Sequence, residues 1–355
     1  MNIFRTEPII GFTYEPYAKT YETGREYNVL YQINSVGLRD REYGKKKKDV
    51  VRVLLLGDSF SVSHGLAIES SLSRQLEAAL QAIVGADRVS MRFEVVNAAV
   101  GGYSPYNYWK AYHRWGGEFN PDVVVVALSP DDYDCSNERM TYLIQEGETL
   151  AVGKEGQKLL ATGGPYIRMA RKWLSWNSEL YILFRNFFYY NEFVGSVSLW
   201  MDARADVQSD QLEPYLVPQT DKMSKAWSKT FSYLRHLHED TTADGVVLAV
   251  IPLPLKLEII EHEYQRALKS SGRKSEQIDI DQPVKGIVRF GREEGIPVLD
   301  PREAMRKRQT DVPCYFVYDG HWNAEGVRVA ANQIAAQWRQ VGLPPWHNDS
   351  RGKQK

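Results

Sequence analysis

The chain has 355 residues, of which 43% are hydrophobic and 25% are charged, and its formal net charge is -1. That length suits one α/β domain with insertions or two domains, and the apolar content is sufficient for a packed core, which argues against global disorder. The charge balance lacks the basic surplus of nucleic-acid-binding proteins, so no nucleic-acid partner is expected.

The two cysteines and the one lysine run limit the kinds of site that the chain is expected to contain. Cys135 and Cys314 are too few for a disulfide framework or a metal site, so two free thiols are expected, although a single bridge between them stays open. The lysine run 45–48 precedes an apolar strand and is interpreted as a solvated flank rather than a phosphate or lipid site.

Targeting and membrane segments are not expected in this chain. Residues 1–8 contain no apolar signal region. No stretch reaches about 18 uninterrupted apolar residues, so no transmembrane helix is predicted. The compartment and the oligomeric state stay open at this point.

In chain order, residues 1–48 are rich in Tyr, Thr and Gly without a helical period, and we interpret them as an extended N-terminal segment with a small hairpin through 27–31. A folded domain is expected over 49–345. Short apolar runs, typical of strands buried on both faces of a parallel sheet, lie at 50–56, 93–97, 122–128, 245–251 and 296–300. Helical segments are predicted near 66–84, 106–115, 225–239, 255–270, 280–294 and 323–340. This alternation predicts a doubly wound α/β fold with a central parallel sheet of about five strands.

One region, about 135–225, breaks the alternation because it is far longer than a crossover requires. It is rich in aromatic residues, among them Trp173, Trp176, Phe184, Phe187, Phe188, Tyr189, Tyr190, Phe193 and Trp200. We interpret it as an α-helical insertion that caps the core. A lid or acyl-binding wall over the active site and a membrane-surface patch are the alternatives.

Ser59 is the first residue with a chemical role in this pattern. It directly follows the first buried strand and opens a helix, which puts its hydroxyl at the carboxyl edge of the sheet near the positive helix end. An ordinary N-cap serine is the alternative interpretation.

A base for this serine is available near the C-terminus. His321 lies just before the last helix, and Asp319 is two residues upstream, where its carboxylate can orient an imidazole. A capping or core histidine is the alternative, whereas Asn323 is expected to be the N-cap of the last helix. His64 and His113 are lone histidines without partner spacing.

Three blocks together resemble the SGNH/GDSL-type serine hydrolase family. Gly-Asp-Ser-Phe at 57–60 resembles its first block, Asn-Ala-Ala-Val-Gly-Gly-Tyr-Ser at 97–104 its second, and Asp-Gly-His at 319–321 its last. The resemblance implies a flavodoxin-like three-layer α/β/α fold. It also implies a Ser59–His321–Asp319 triad and an oxyanion hole formed by the N–H groups of Ser59 and Gly102.

The third block departs from the family pattern. Residues 128–133 carry Asp131 where the family usually has the Asn of the oxyanion hole. A carboxylate would repel the oxyanion, and loss of one donor costs about a hundredfold to a thousandfold in rate. Either Asp131 is protonated and donates, or it has another task and the hole uses backbone N–H groups alone. Asp131, Asp132 and Asp134 fit no calcium-loop spacing, so a solvated turn is expected, with neither a metal nor a cofactor.

The resemblance implies an esterase-type enzyme that hydrolyses an O-acyl ester, often acetate on a carbohydrate, with lipid and small esters also common in the family. Transfer of the acyl group to a polysaccharide hydroxyl by the same triad is the second hypothesis. A non-catalytic glycan-binding module on a degenerate hydrolase fold is the third, and Asp131 is its best support. The resemblance favours an extracytoplasmic location.

Overall fold

The structure is a computed structural model that describes residues 3–130 and 211–345. The interpretations made for Asp131 and Cys135, and most of the predicted insertion 135–225, lie outside these residues. Cys314 is a free, buried thiol.

The N-terminal segment forms two antiparallel hairpins rather than one. Their strands are β1 (Phe4–Glu7), β2 (Gly11–Tyr14), β3 (Lys19–Thr23) and β4 (Asn28–Gln32). The hairpin predicted through 27–31 is thus the second half of a longer β3–β4 pair, in which Lys19 is opposite Gln32 and Thr23 is opposite Asn28.

Within the described residues, a parallel sheet of four strands forms the central layer, in the spatial order β6-β5-β7-β8. The strands are β5 (Val50–Leu56), β6 (Arg92–Asn97), β7 (Val123–Leu128) and β8 (Val247–Pro252). Every residue of β5 and β7 is buried, as the continuous apolar runs predict.

The prediction of about five strands needs one correction. The expected fifth strand at 296–300 is reduced to a single parallel bridge between Val298 and Val250. The Val250 N–H donates to the Pro297 carbonyl at 2.9 Å, and the Leu299 N–H donates back to Val250 at 2.9 Å. Since Pro297 has no N–H to donate, a longer ladder is disfavoured there.

Helices cover both faces of the sheet. They are α1 (Ser59–Val62), α2 (Leu72–Ala86), α3 (Pro105–Phe119), α4 (Asp221–Ala243), α5 (Lys256–Ile259), α6 (Glu261–Ser271), α7 (Gln282–Glu294), α8 (Arg302–Gln309) and α9 (Ala324–Gln340). Six predicted helical segments are confirmed, the one near 255–270 divided into α5 and α6, whereas α8 was not predicted. In the described part of the chain, no helix combines the length and apolar character needed to cross a bilayer.

Alternate strand residues point into two separate cores, which makes the fold a three-layer α/β/α arrangement. Leu54 and Leu56 belong to a core with residues of α3, α4 and α7. Leu55 belongs to the opposite core with residues of α2, α8 and α9.

The N-terminal segment shares the first of these cores. Its buried members there are Ile3, Ile10, Phe12, Tyr14, Tyr31, Ile33 and Leu38. Arg39 is also buried, and its guanidinium donates to the carbonyls of Val62 at 2.7 Å, Ser63 at 3.1 Å and Leu66. The segment is therefore packed beside the loop that follows α1.

Candidate active site

Ser59 lies at the carboxyl edge of the sheet as the first residue of α1, immediately after β5. Asp58, not Ser59, is the N-cap, because the Asp58 carboxylate accepts the Phe60 N–H at 2.9 Å. The alternative interpretation of Ser59 as a capping residue is therefore wrong. A Cβ at Gly57 would lie 2.1 Å from the Ser61 Oγ, so this tight strand-to-helix turn requires glycine.

In the structure, the side chains of Ser59, His321 and Asp319 are linked in series by hydrogen bonds. The Ser59 Oγ lies 2.7 Å from the His321 Nε2, and the His321 Nδ1 lies 2.6 Å from the Asp319 Oδ1. Both downstream residues are in the loop between α8 and α9. Asn323 caps α9 as expected, since its side chain accepts the Gly326 N–H at 3.0 Å.

The Asp319 carboxylate accepts hydrogen bonds from several donors. The His321 N–H donates to its Oδ1 at 2.8 Å, and the Tyr27 hydroxyl donates to its Oδ2 at 3.0 Å. Burial raises the pKa of Asp319, but the hydrogen bonds from the His321 ring and backbone and from Tyr27 outweigh it and hold the pKa well below its usual range. An ionised Asp319 draws the ring proton of His321 to Nδ1, which leaves Nε2 free to accept the serine proton.

The second sequence block lies beside Ser59. The Ala98 N–H donates to Leu55 at 2.9 Å and the Val100 N–H to Gly57 at 3.2 Å, so the loop after β6 runs along the loop after β5. A Cβ placed on Gly101 would lie 4.0 Å from the Ser59 Cβ.

The backbone groups predicted for the oxyanion hole belong to these two adjacent loops. Gly102 has a φ of +87°, a conformation that suits glycine. The N–H of Ser59, at the first helical position, has no acceptor within its own helix. Gly101 instead donates its N–H to the Tyr14 hydroxyl at 3.2 Å. The assignment of Gly102 as an oxyanion donor remains a prediction.

Sequence reasoning missed a second acid–histidine pair next to this row. His64 has no partner at a recognisable sequence spacing, but its Nδ1 lies 2.8 Å from the Glu22 Oε1 and its Nε2 lies 2.9 Å from the Tyr27 hydroxyl. Burial lowers the pKa of His64, but the hydrogen bond and charge of Glu22 outweigh it, and the pKa is raised overall. No spacing rule links these residues, since Glu22 and Tyr27 belong to the N-terminal hairpin.

The cluster is compact enough to be considered as a metal site. His64, Asp319 and His321 offer ligand atoms that all lie within 4.8 Å of one another. The same atoms already have hydrogen-bond partners in Ser59, Glu22 and Tyr27. We therefore describe the cluster as a hydrogen-bonded network.

Comparison with known proteins gives one family-model match. Residues 215–355 match the model described as "SGNH hydrolase-like domain, acetyltransferase AlgX". This range contains Asp319 and His321 but not Ser59. No curated protein matches the sequence.

Several solved structures resemble the chain at low identity. TesA is 12% identical with a TM-score of 0.42, over 82% of this chain and 99% of its own. The psychrotrophic esterase EstA from Pseudoalteromonas sp. is 11% identical with a TM-score of 0.39, over 81% of this chain and 98% of its own. A catalytic mutant of an acetylxylan esterase from Geobacillus stearothermophilus is 13% identical with a TM-score of 0.40, over 83% of this chain and 95% of its own.

Proposed function

From the match of residues 215–355 to an SGNH hydrolase-like family model, we propose that the chain is an SGNH-type, serine-dependent enzyme that cleaves an O-acyl ester through Ser59, His321 and Asp319. The matched domain supports acyl-ester hydrolysis or acyl transfer as the reaction class. The observation that carries the residue assignment is the unbroken row of hydrogen bonds from the Ser59 Oγ through His321 to Asp319.

The reaction follows from the positions of the protons. His321 accepts the Ser59 proton at Nε2 while the serine oxygen attacks the ester carbonyl, and Asp319 stabilises the imidazolium that forms. The N–H groups of Ser59 and Gly102 bind the oxyanion. His321 then donates its proton to the leaving alcohol, and water releases the acid from the acyl-enzyme by the reverse sequence.

We propose that the substrate is an O-acetyl ester of a carbohydrate. The resemblance of the three sequence blocks to the SGNH/GDSL-type family points to O-acyl esters. The description of the matched family model names an acetyltransferase. A short acyl group is therefore the first one to test, against esters of increasing acyl length.

The assignment predicts that Ser59→Ala abolishes labelling by a fluorophosphonate probe and lowers p-nitrophenyl acetate turnover at least about a thousandfold. Ser61→Ala is the matched control, because it is the same change in the same helix. The Ser61 hydroxyl is buried and has no hydrogen-bond partner within the described residues. This control should be labelled like the wild type, and a chelator should leave turnover unchanged.

Two results would contradict the assignment. Labelling that survives Ser59→Ala would remove Ser59 as the nucleophile. A correctly folded wild-type protein that is inert to the probe but binds glycans would favour the non-catalytic module.

Acyl transfer is the second candidate, favoured by the description of the matched family model. The same acyl-enzyme would then react with a sugar hydroxyl instead of water. Incubation of an acyl donor with candidate glycans, followed by mass spectrometry of the glycans and titration of free acid, gives the ratio of transfer to hydrolysis. Transfer predicts that free acid release falls as glycan is added, whereas hydrolysis predicts that acid release is insensitive to glycan.

A further inference from the structure

The β3–β4 hairpin reaches into the active site with two side chains, those of Glu22 and Tyr27. Glu22 accepts the Gly65 N–H through Oε2 at 2.8 Å and faces the His64 Nδ1 through Oε1 at 2.8 Å. Tyr27 lies between the two acid–histidine pairs, with its hydroxyl 2.9 Å from the His64 Nε2 and 3.0 Å from the Asp319 Oδ2.

Counting protons along this network determines the state of His64. Asp319 is ionised, so its oxygens only accept, and the single hydroxyl proton of Tyr27 is donated to it. The short contact between Tyr27 and the His64 Nε2 therefore needs a proton on that nitrogen. The carboxylate of Glu22 needs another on Nδ1, and an imidazole with both nitrogens protonated is a cation.

We propose that His64 is a fixed imidazolium, held by Glu22, that positions the Asp319 carboxylate through Tyr27 and keeps His321 in its neutral, proton-accepting form. The inference deepens the proposed function and rests on it. It makes the N-terminal hairpin part of the active site, with Glu22, Tyr27 and His64 as positioning residues.

Geometry supports an effect on His321 as well as on Asp319. The His64 and His321 rings lie 4.7 Å apart between centroids, at an interplanar angle of 38°. The His64 Nε2 lies 3.8 Å from the Asp319 Oδ2. At such distances a cation on His64 stabilises the carboxylate and opposes a second positive charge on His321.

The other charged and titratable groups around His64 are consistent with a cation there. Glu22 on the hairpin and Asp319 on the loop before α9 favour its protonation, whereas the charge of Arg39 opposes it. Burial raises the pKa of Glu22, but its hydrogen bond and charge interaction with His64 outweigh it, so Glu22 stays ionised.

The hairpin tip is also clamped to the loop that carries Asp319. Glu26 accepts the backbone N–H groups of Val317 at 2.6 Å, Tyr318 at 2.7 Å and Asp319 at 3.1 Å. The Arg25 guanidinium lies 3.5 Å from the centroid of the Tyr318 ring. These contacts fix the distance between Tyr27 and Asp319 on which the network depends.

The charge state of His64 is measured directly by ¹⁵N NMR of the imidazole nitrogens in the full-length protein near pH 7, without any substrate. Protons on both ring nitrogens of His64 are expected. A bare nitrogen on His64 at that pH overturns the proposal, whatever the enzyme does, so this measurement is independent of the proposed function.

The positioning role is tested by the rate at which a fluorophosphonate labels Ser59 and by steady-state kinetics. Tyr27→Phe removes the hydrogen bonds that the hydroxyl makes with Asp319 and with His64, and it should lower kcat and the labelling rate about tenfold, with KM unchanged. Tyr21→Phe is the matched control on the same hairpin, where the side chain is 60% exposed, and it should behave like the wild type.

His64→Gln provides the readout that a purely structural role would not change. Loss of the cation removes the charge that opposes a proton on His321. The acid side of the labelling pH profile should therefore move to higher pH than in the wild type.

The outcomes separate the two claims. A wild-type protein that is not labelled at Ser59 overturns the proposed function. The role of the hairpin is overturned by a different result. In that case the wild type is labelled, and the Tyr27→Phe and His64→Gln variants keep the wild-type rate, pH profile and melting temperature.

Discussion

Glu258, in α5, is a buried acid that the proposed chemistry does not use. Its Oε1 accepts the Tyr215 hydroxyl at 2.7 Å and the Leu255 N–H at 3.3 Å. Its Oε2 is buried without a hydrogen-bond partner among the described residues. Burial raises the pKa of Glu258 to about 7, although these hydrogen bonds and the charges of Arg302 and Arg306 oppose the rise.

This raised pKa predicts a pH-dependent stability. Because the folded state binds the Glu258 proton more tightly than the unfolded state does, the contribution is fully present below the unfolded pKa of 4.5 and is lost as pH rises through about 7. The free energy of unfolding should fall by up to about 3 kcal/mol across this window from this residue alone.

Glu258→Gln should flatten that dependence, since an amide cannot ionise. Denaturant unfolding at about pH 5 and about pH 8 measures it, with a smaller difference between the two pH values in the variant than in the wild type. Glu261→Gln, an exposed change at the start of α6, is the control and should leave the difference unaltered. A Glu258→Gln variant with the wild-type difference would contradict a raised pKa at this position.

At the scale of elements, the strands and the loops that follow them were predictable from the sequence. β5 and β7 are nearly continuous apolar runs, and such a run over so short a length is typical of a strand buried on both faces. Once parallel strands were assigned, the loops after β5 and β6 had to meet at one edge, which brings Ser59 near Gly101 and Gly102. The short spacing from Asp319 to His321 made that pair visible as well.

Two other regions could not be assigned correctly from their local sequence. α8 is strongly polar, and only Arg302 and Met305 are buried in it, so its sequence shows no apolar stripe. The strand expected at 296–300 has the apolar character of a strand, but Pro297 limits its pairing.

The hairpin network is invisible in the sequence for a different reason. Tyr27 meets Asp319 across 292 positions, and Glu22 meets His64 by a loop-to-hairpin contact. Such pairs arise from tertiary packing, which no periodicity or motif spacing encodes.

At the scale of the whole molecule, the N-terminal segment and the sheet depend on one core. Phe12 and Tyr103 pack edge to face at 5.0 Å between ring centroids, and the Tyr103 hydroxyl donates to the Phe12 carbonyl at 2.7 Å. The Asn107 side chain donates to the Ile10 carbonyl at 3.1 Å. The segment therefore supplies buried surface and hydrogen bonds to α3 as well as side chains to the active site.

A chain that starts at residue 49 should accordingly fail to fold cooperatively. Burial of one large apolar side chain is worth about 1.5–3 kcal/mol, so loss of Phe12, Tyr14, Tyr31 and Leu38 together approaches the whole stability of a typical domain, about 5–15 kcal/mol. Circular dichroism during thermal unfolding measures this, and the truncated chain should lack the wild-type transition and any fluorophosphonate labelling. Addition of a peptide of residues 1–48 should restore both if the segment docks on the same core. A truncated chain that melts like the wild type would contradict the shared core, and one that melts normally but is not labelled would assign the segment to the active site alone.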